Sequence, residues 1–140
     1  MVSLKDRMQA IKDGKEEPPP IAKTLGINVV ELGEGHAAAV MNVDQRFHNP
    51  MGTLHGGIMT DLADLCMGVA IATLLEDDES FTTLELKINF LRPVFEGQLS
   101  GEAKVIHKGR TVALVESILK SGEGKEVARA TATQMILKSK

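Results

Sequence analysis

Asn49-Pro50-Met51-Gly52-Thr53-Leu54-His55-Gly56-Gly57 runs directly into an apolar stretch, Ile58 to Leu75, that carries two acids, Asp61 and Asp64. Taken as a helix from Gly56 to Leu75, the stretch is about 30 Å long. Ile58, Leu62, Leu65, Val69 and Ala72 form one stripe at helical spacing, Met59, Ala63, Cys66, Ala70 and Thr73 a second, and Met67, Ile71 and Leu74 close the remainder. A helix apolar nearly all round belongs in the centre of a fold or in a membrane. Two aspartates would each cost about 2.5–3.5 kcal/mol near a bilayer midplane, the chain has no Trp or Tyr for an interfacial belt, and the C-terminal flank Glu76-Asp77-Asp78-Glu79 is acidic. The stretch therefore reads as a core helix. A carboxylate inside it is costly unless paired, solvated or used.

On either side of this helix the pattern is that of strands. β-Branched and small apolar residues from Ile27 to Leu32 and from His36 to Val43 flank Gly33-Glu34-Gly35, a hairpin signature. After the helix, Leu84, Leu86, Ile88 and Phe90 alternate with Thr83, Glu85, Lys87 and Asn89, which predicts a strand with Leu84 to Phe90 on its buried face. Pro93 ends it. Further strands are expected from Gly97 to His107, Arg110 to Ser121 and Glu126 to Leu137, the last carrying Ala128, Ala130 and Ala132 on one face, where a helix can lie close. The predicted order is two strands, the long helix, then four strands in a meander: an α+β domain with one long helix against a roughly six-stranded antiparallel sheet. Residues 1–24 stand apart from the main domain, 25–140. Ser3 and Asp6 suggest a capping box for a short helix with Leu4, Met8 and Ile11 on one face, and Asp13-Gly14 and Pro18-Pro19-Pro20 make a break and an extended connector.

The 140 residues, 43% hydrophobic and 25% charged, suffice for one core and leave no room for a second full domain. A formal net charge of −3 with scattered Lys and Arg argues against a nucleic-acid partner or a polybasic membrane surface. One cysteine, Cys66, rules out an intrachain disulfide framework, and the charged start at Lys5, Asp6 and Arg7 lacks a signal-peptide core; both fit a cytoplasmic protein. Cys66 lies on the small-residue stripe and reads as packing. His36, His48 and His107 share no metal-ligand spacing, so no metal is expected.

The helix's own geometry bears on assembly. His55 and Asp64 are nine positions apart, about 13.5 Å along a helix and close to opposite sides. If both serve one site, each comes from a different subunit, with two helices antiparallel across a two-fold axis. A second copy of the chain is also the simplest cover for a helix face that its own sheet cannot reach.

With these residues in hand, the chain resembles the hotdog-fold acyl-CoA thioesterases, in particular the phenylacetate-degradation (PaaI-like) branch. The resemblance spans Gly26 to Leu137 and rests on the loop Asn49 to Gly57, the helical Asp64, the strand ending Phe90-Leu91-Arg92-Pro93 and the turn Lys108-Gly109-Arg110-Thr111. It implies a helix wrapped by an antiparallel sheet, and homodimers with a continuous sheet, often paired into tetramers, with two active sites at the subunit interface. It also implies an acyl-CoA substrate, coenzyme A being part of that substrate and no further cofactor being needed. Carried onto this sequence, Asp64 matches the catalytic carboxylate, acting as base or nucleophile. Gly56 supplies the backbone N–H that polarises the thioester carbonyl, Asn49 orients water or carboxylate, and His55 helps fix the loop and acyl group. Thr83 falls where a hydroxyl holds the attacking water. Gly109 and Arg110, with Lys108 and Arg92, fall where coenzyme A would be contacted.

Plainer readings stand beside these. Asp61 fits a first-turn acid complementing the helix dipole, Asn49 before Pro50 fits turn chemistry, His55 can simply cap the loop, and Arg92, Lys108 and Arg110 can be solvated charges at strand ends. A non-catalytic acyl-CoA sensor or carrier would not require Asp64, and a hotdog dehydratase acting on 3-hydroxyacyl thioesters usually pairs a loop histidine with a helical glutamate.

Overall fold

The computed structural model describes residues 2–139. Two short helices, α1 (Leu4–Lys12) and α2 (Pro20–Leu25), precede strands β1 (Asn28–Gly33) and β2 (His36–Val43). A 3-10 turn (Gln45–Phe47) leads to the long helix α3 (Gly56–Ala72), after which come β3 (Glu79–Phe90), β4 (Gly97–Lys108), β5 (Val112–Ser121) and β6 (Glu126–Lys138). All six strands belong to one sheet of order β1-β2-β4-β5-β6-β3, antiparallel throughout. Every strand touches α3.

The expected four-strand meander is corrected in one respect: β3 pairs with β6 at the far edge and not with its sequence neighbour β4. The link after Phe90 cannot form a tight hairpin. Pro93 lacks a donor, Leu91 and Arg92 donate their backbone N–H groups to Val127 O at 2.8 and 3.2 Å, and Val94 O accepts from Leu54 N at 2.7 Å. The link is thereby stitched across the end of the fold.

The second correction concerns the face of β3. Thr83 lies opposite Gln134 on β6, and Glu85, not Leu84, lies opposite Thr133, so Leu84 is a surplus residue in a β-bulge. One extra residue inverts the alternation. Thr83 joins Leu86 and Ile88 on the side facing α3, opposite Gln134, Ala132 and Ala130, while Leu84 is 55% exposed.

Helix α3 ends at Ala72, three residues before the expected Leu75, because Thr73 caps it. The Thr73 hydroxyl donates to Ala70 O at 2.7 Å and accepts from Gly35 N at 2.8 Å, tying the helix end to the β1–β2 turn. Leu62, Cys66, Met67, Ala70 and Ile71 are fully buried against the sheet. Contact is close at Gly101 of β4, where a Cβ would lie 2.9 Å from both Cys66 Sγ and Leu119 Cδ2. Gly101→Ala is therefore expected to cost about 1–3 kcal/mol by overpacking, read as a lower urea midpoint with an unchanged slope.

The N-terminal segment lies against this core. Ser3 Oγ accepts from Asp6 N at 3.1 Å, capping α1 as the sequence suggests, and Leu4 and Met8 pack onto the core. The prolines do not form one extended connector: Pro20 occupies the first turn of α2, where its missing N–H has no intrahelical role, and Ala22 and Leu25 join the core. What remains open on α3 is a narrow edge, with Gly57 and Asp64 exposed and Asp61 and Gly68 half-buried. Among the described residues no helix is long and apolar enough to cross a membrane.

Candidate active site

Asp64 stands on that open edge, two turns into α3. The bulge in β3 turns the Thr83 hydroxyl toward it: Thr83 Oγ1 donates to Asp64 Oδ1 at 3.3 Å. Behind Thr83, Gln134 Nε2 donates to the same hydroxyl at 3.5 Å. With its lone pair occupied by the amide, the hydroxyl proton points to the carboxylate. Gln134 is completely buried, and its Oε1 is a buried side-chain polar atom without a partner among the described residues, a deficit of about 1–3 kcal/mol. Sequence reasoning passed over Gln134. Its signal was there, since the row Ala128, Ala130, Ala132 continues at position 134 with a polar residue on an apolar face.

Asp61 lies one turn before Asp64 and is half-buried. Burial raises its carboxyl pKa above the ordinary value, and the neighbouring Asp64 charge raises it further. Both acids border an apolar cleft of about 320 Å³, roofed by Leu4 and Met8 of α1 and walled by Leu65, Val69 and Phe81.

The other predicted residues gather at the start of α3. His55 is the N-cap: its Nδ1 accepts from Gly57 N at 2.9 Å, which makes Nε2 the protonated nitrogen of a neutral ring. The backbone N–H of Gly56, next in line, donates to nothing among the described residues and carries the positive end of the helix dipole. A Cβ at Gly56 would sit 2.8 Å from Phe90 Cζ, so only glycine fits beneath that ring without displacing it. Asn49 holds its own loop: Oδ1 accepts from Met51 N and Thr53 N at 3.0 and 3.2 Å, and Nδ2 donates to Thr53 Oγ1 at 2.9 Å. Asn49, Gly56 and Arg92 line a second cleft of about 400 Å³. It is distinct from the cleft of Asp64, which lies eight residues along α3, about 12 Å.

Of the residues assigned to coenzyme A, Arg110 is exposed at the β4–β5 turn. Gly109 N donates to Val112 O at 2.8 Å within that turn. Lys108 points inward to Glu79, 3.5 Å away and nearly buried. The Glu79 carboxyl is held below its ordinary pKa first by the Glu76 backbone N–H and then by Lys108. Arg92 Nη1 donates to Glu126 O at 2.8 Å, anchoring the link after β3. Cys66 is fully buried, and burial pushes its thiol up to about 12, which leaves it protonated and inert as a nucleophile. Among the described residues no three His, Cys, Asp or Glu side chains converge as a metal site would require.

Residues 51–128 match the model of the thioesterase superfamily. A protein of Saccharolobus solfataricus that carries a provisional esterase name is 36% identical over 98% of this chain and 97% of its own length. The 1,4-dihydroxy-2-naphthoyl-CoA hydrolase of Listeria monocytogenes is 31% identical over 69% of this chain and 78% of its own. Among solved structures, the PaaI protein from the phenylacetic acid degradation operon of Escherichia coli superposes with a TM-score of 0.85 at 26% identity, covering 98% of each chain.

Proposed function

The chain belongs to the thioesterase superfamily as a PaaI-type thioester hydrolase of hotdog fold, and from that premise we propose that it hydrolyses acyl-CoA at two sites shared across a homodimer. The observation that carries this reading is the pairing of an exposed helical carboxylate, Asp64, with the Thr83 hydroxyl, while Gly56, whose N–H is undonated among the described residues, lines a different cleft. Neither half suffices alone. Asp64 provides a base for water, or a nucleophile, and the Gly56 N–H of the partner copy provides the dipole that takes up negative charge on the thioester oxygen. An antiparallel approach of two α3 helices brings the halves together. The free edge of β3, twelve residues long, offers the backbone groups through which two sheets can join, and two such dimers can pair as a tetramer.

In this reading Thr83 orients the attacking water or the carboxylate, held in turn by Gln134. Asn49 and His55 keep the loop in the shape that exposes the Gly56 N–H. Arg110, exposed at its turn, is placed for the coenzyme A phosphates, whereas Lys108 and Arg92 support the sheet ends. A thiolate leaves without strong protonation, so the reaction draws on no metal and no cofactor beyond the coenzyme A of its substrate. The single buried thiol suits a cytoplasmic enzyme. The test is release of free thiol from acyl-CoAs, followed continuously with a thiol reagent. Turnover of acyl-CoAs in preference to the matching oxygen esters is expected; equal turnover of both would sink the reading.

A further inference from the structure

We propose that the cleft beneath α1 is where the acyl group binds, that it selects uncharged apolar chains, and that Met8 sets the length of chain it admits. The proposal rests on the reading of Asp64 as the carboxylate acting on the thioester, and it assigns the N-terminal helix a part in substrate choice.

Position argues first. Asp64 and Thr83 line the cleft, so a carbonyl presented to Asp64 has its acyl chain beside an apolar trough. The trough continues along α3 as far as Ala72, eight residues or about 12 Å beyond Asp64. That is the reach of a medium-length chain or an aryl group.

Charge argues second. Among the described residues of one chain, the polar side chains lining the cleft are Thr83, Asp61 and Asp64, with no Lys, Arg or His. A chain ending in a carboxylate would set a third negative charge among apolar walls with no cation to meet it. The raised pKa of Asp61, caused first by burial, shows how poorly this surface already tolerates charge.

Met8 argues third. A smaller pocket of about 170 Å³ lies under α1 between Ile11, Pro18 and Ala22, and it shares Met8, Pro19, Ile27, Leu65 and Val69 with the larger cleft. Of these five, Met8 alone belongs to α1, which places it where the two pockets meet. It is unbranched and half-buried, on a helix outside the sheet, and can be exchanged without disturbing the strands.

The experiment measures kcat/KM over saturated acyl-CoAs from butyryl to tetradecanoyl, with glutaryl-CoA set against hexanoyl-CoA. Wild-type protein, Met8→Ala, Met8→Trp, Asp61→Asn and Asp64→Asn are compared, each checked for folding by thermal melting. Wild type is expected to peak at medium chains and to disfavour glutaryl-CoA by about 100-fold, the scale of an unmet group in an apolar pocket. Met8→Ala joins the two pockets and moves the optimum to longer chains. Met8→Trp moves it to shorter ones, with losses of about tenfold or more for the chains that no longer fit. Asp61→Asn narrows the glutaryl penalty. The same chains carried as non-hydrolysable thioethers and measured by calorimetry give the length profile without turnover. An unmoved profile in both Met8 variants while Asp64→Asn is inactive overturns the cleft and leaves the site reading intact. An active Asp64→Asn overturns the site reading, and a Met8-dependent thioether profile then still upholds the cleft. Equal rates for glutaryl- and hexanoyl-CoA overturn the selection by charge.

Discussion

Asp64→Asn lowers kcat for acyl-CoA hydrolysis by about 10²–10⁴-fold, the contribution of a positioned general base, and leaves stability within about 0.5 kcal/mol. The two effects separate because Asp64 lies exposed on the open edge of α3, and among the described residues its side chain accepts one hydrogen bond, from Thr83. An asparagine oxygen still accepts that bond, so the geometry survives while the capacity to take a proton or attack a carbonyl is lost. Steady-state thiol release together with a thermal melt checks both halves. A variant that keeps full activity removes Asp64 from the chemistry, and one that loses activity along with its fold says that the carboxylate supports the helix.

Two inactive variants are expected to rescue one another. Gly56→Pro deletes the N–H that the proposed site aims at the thioester oxygen, an expected loss of about 10²–10³ in kcat, yet it suits the backbone. Proline is favoured at the first position of a helix, and His55 before it already has the extended φ of −63° and ψ of 135° that a residue preceding proline adopts. The substituent meets the Phe90 ring, which is 53% exposed and free to swing outward. Gly56→Ala makes the same contact with its N–H intact and is the control. When Asp64→Asn and Gly56→Pro chains are unfolded, mixed equally and refolded, half of the dimers carry both. Each such dimer has one site with wild-type Asp64 and wild-type Gly56, so activity returns to about a quarter of wild type. If the catalytic groups belonged to one chain, the mixture would stay as inactive as its components.

The long helix, the strands and the doubtful status of Asp64 were legible because each is a matter of spacing along one element. Helical periodicity shows that 56–75 is apolar nearly all round, and the carboxylate stands out against it; the end at Ala72 is set by the Thr73 cap. What was not legible depends on pairing between elements. Alternation placed Thr83 outside and Leu84 inside, and a bulge that exists only against β6 reversed them. Pro18-Pro19-Pro20 is a helix breaker in isolation, yet Pro20 opens α2 because Ala22 and Leu25 have a core to enter. Lys108, beside Gly109 and Arg110 in sequence, turns inward to Glu79, twenty-nine positions away. Gln134 was visible as a polar interruption in a row of alanines, but its purpose required knowing that Thr83 lies opposite.

In the proposed shared site, the eight positions from Gly56 to Asp64 make catalysis a second-order property of the protein. The N–H and the carboxylate ride on one rigid helix and cannot approach each other, so in the proposed shared site a lone chain lacks an assembled active centre. Dilution below the dimer dissociation constant then removes activity faster than it removes protein, and specific activity falls with concentration. In the proposed dimer, whatever holds two copies together also sets the rate.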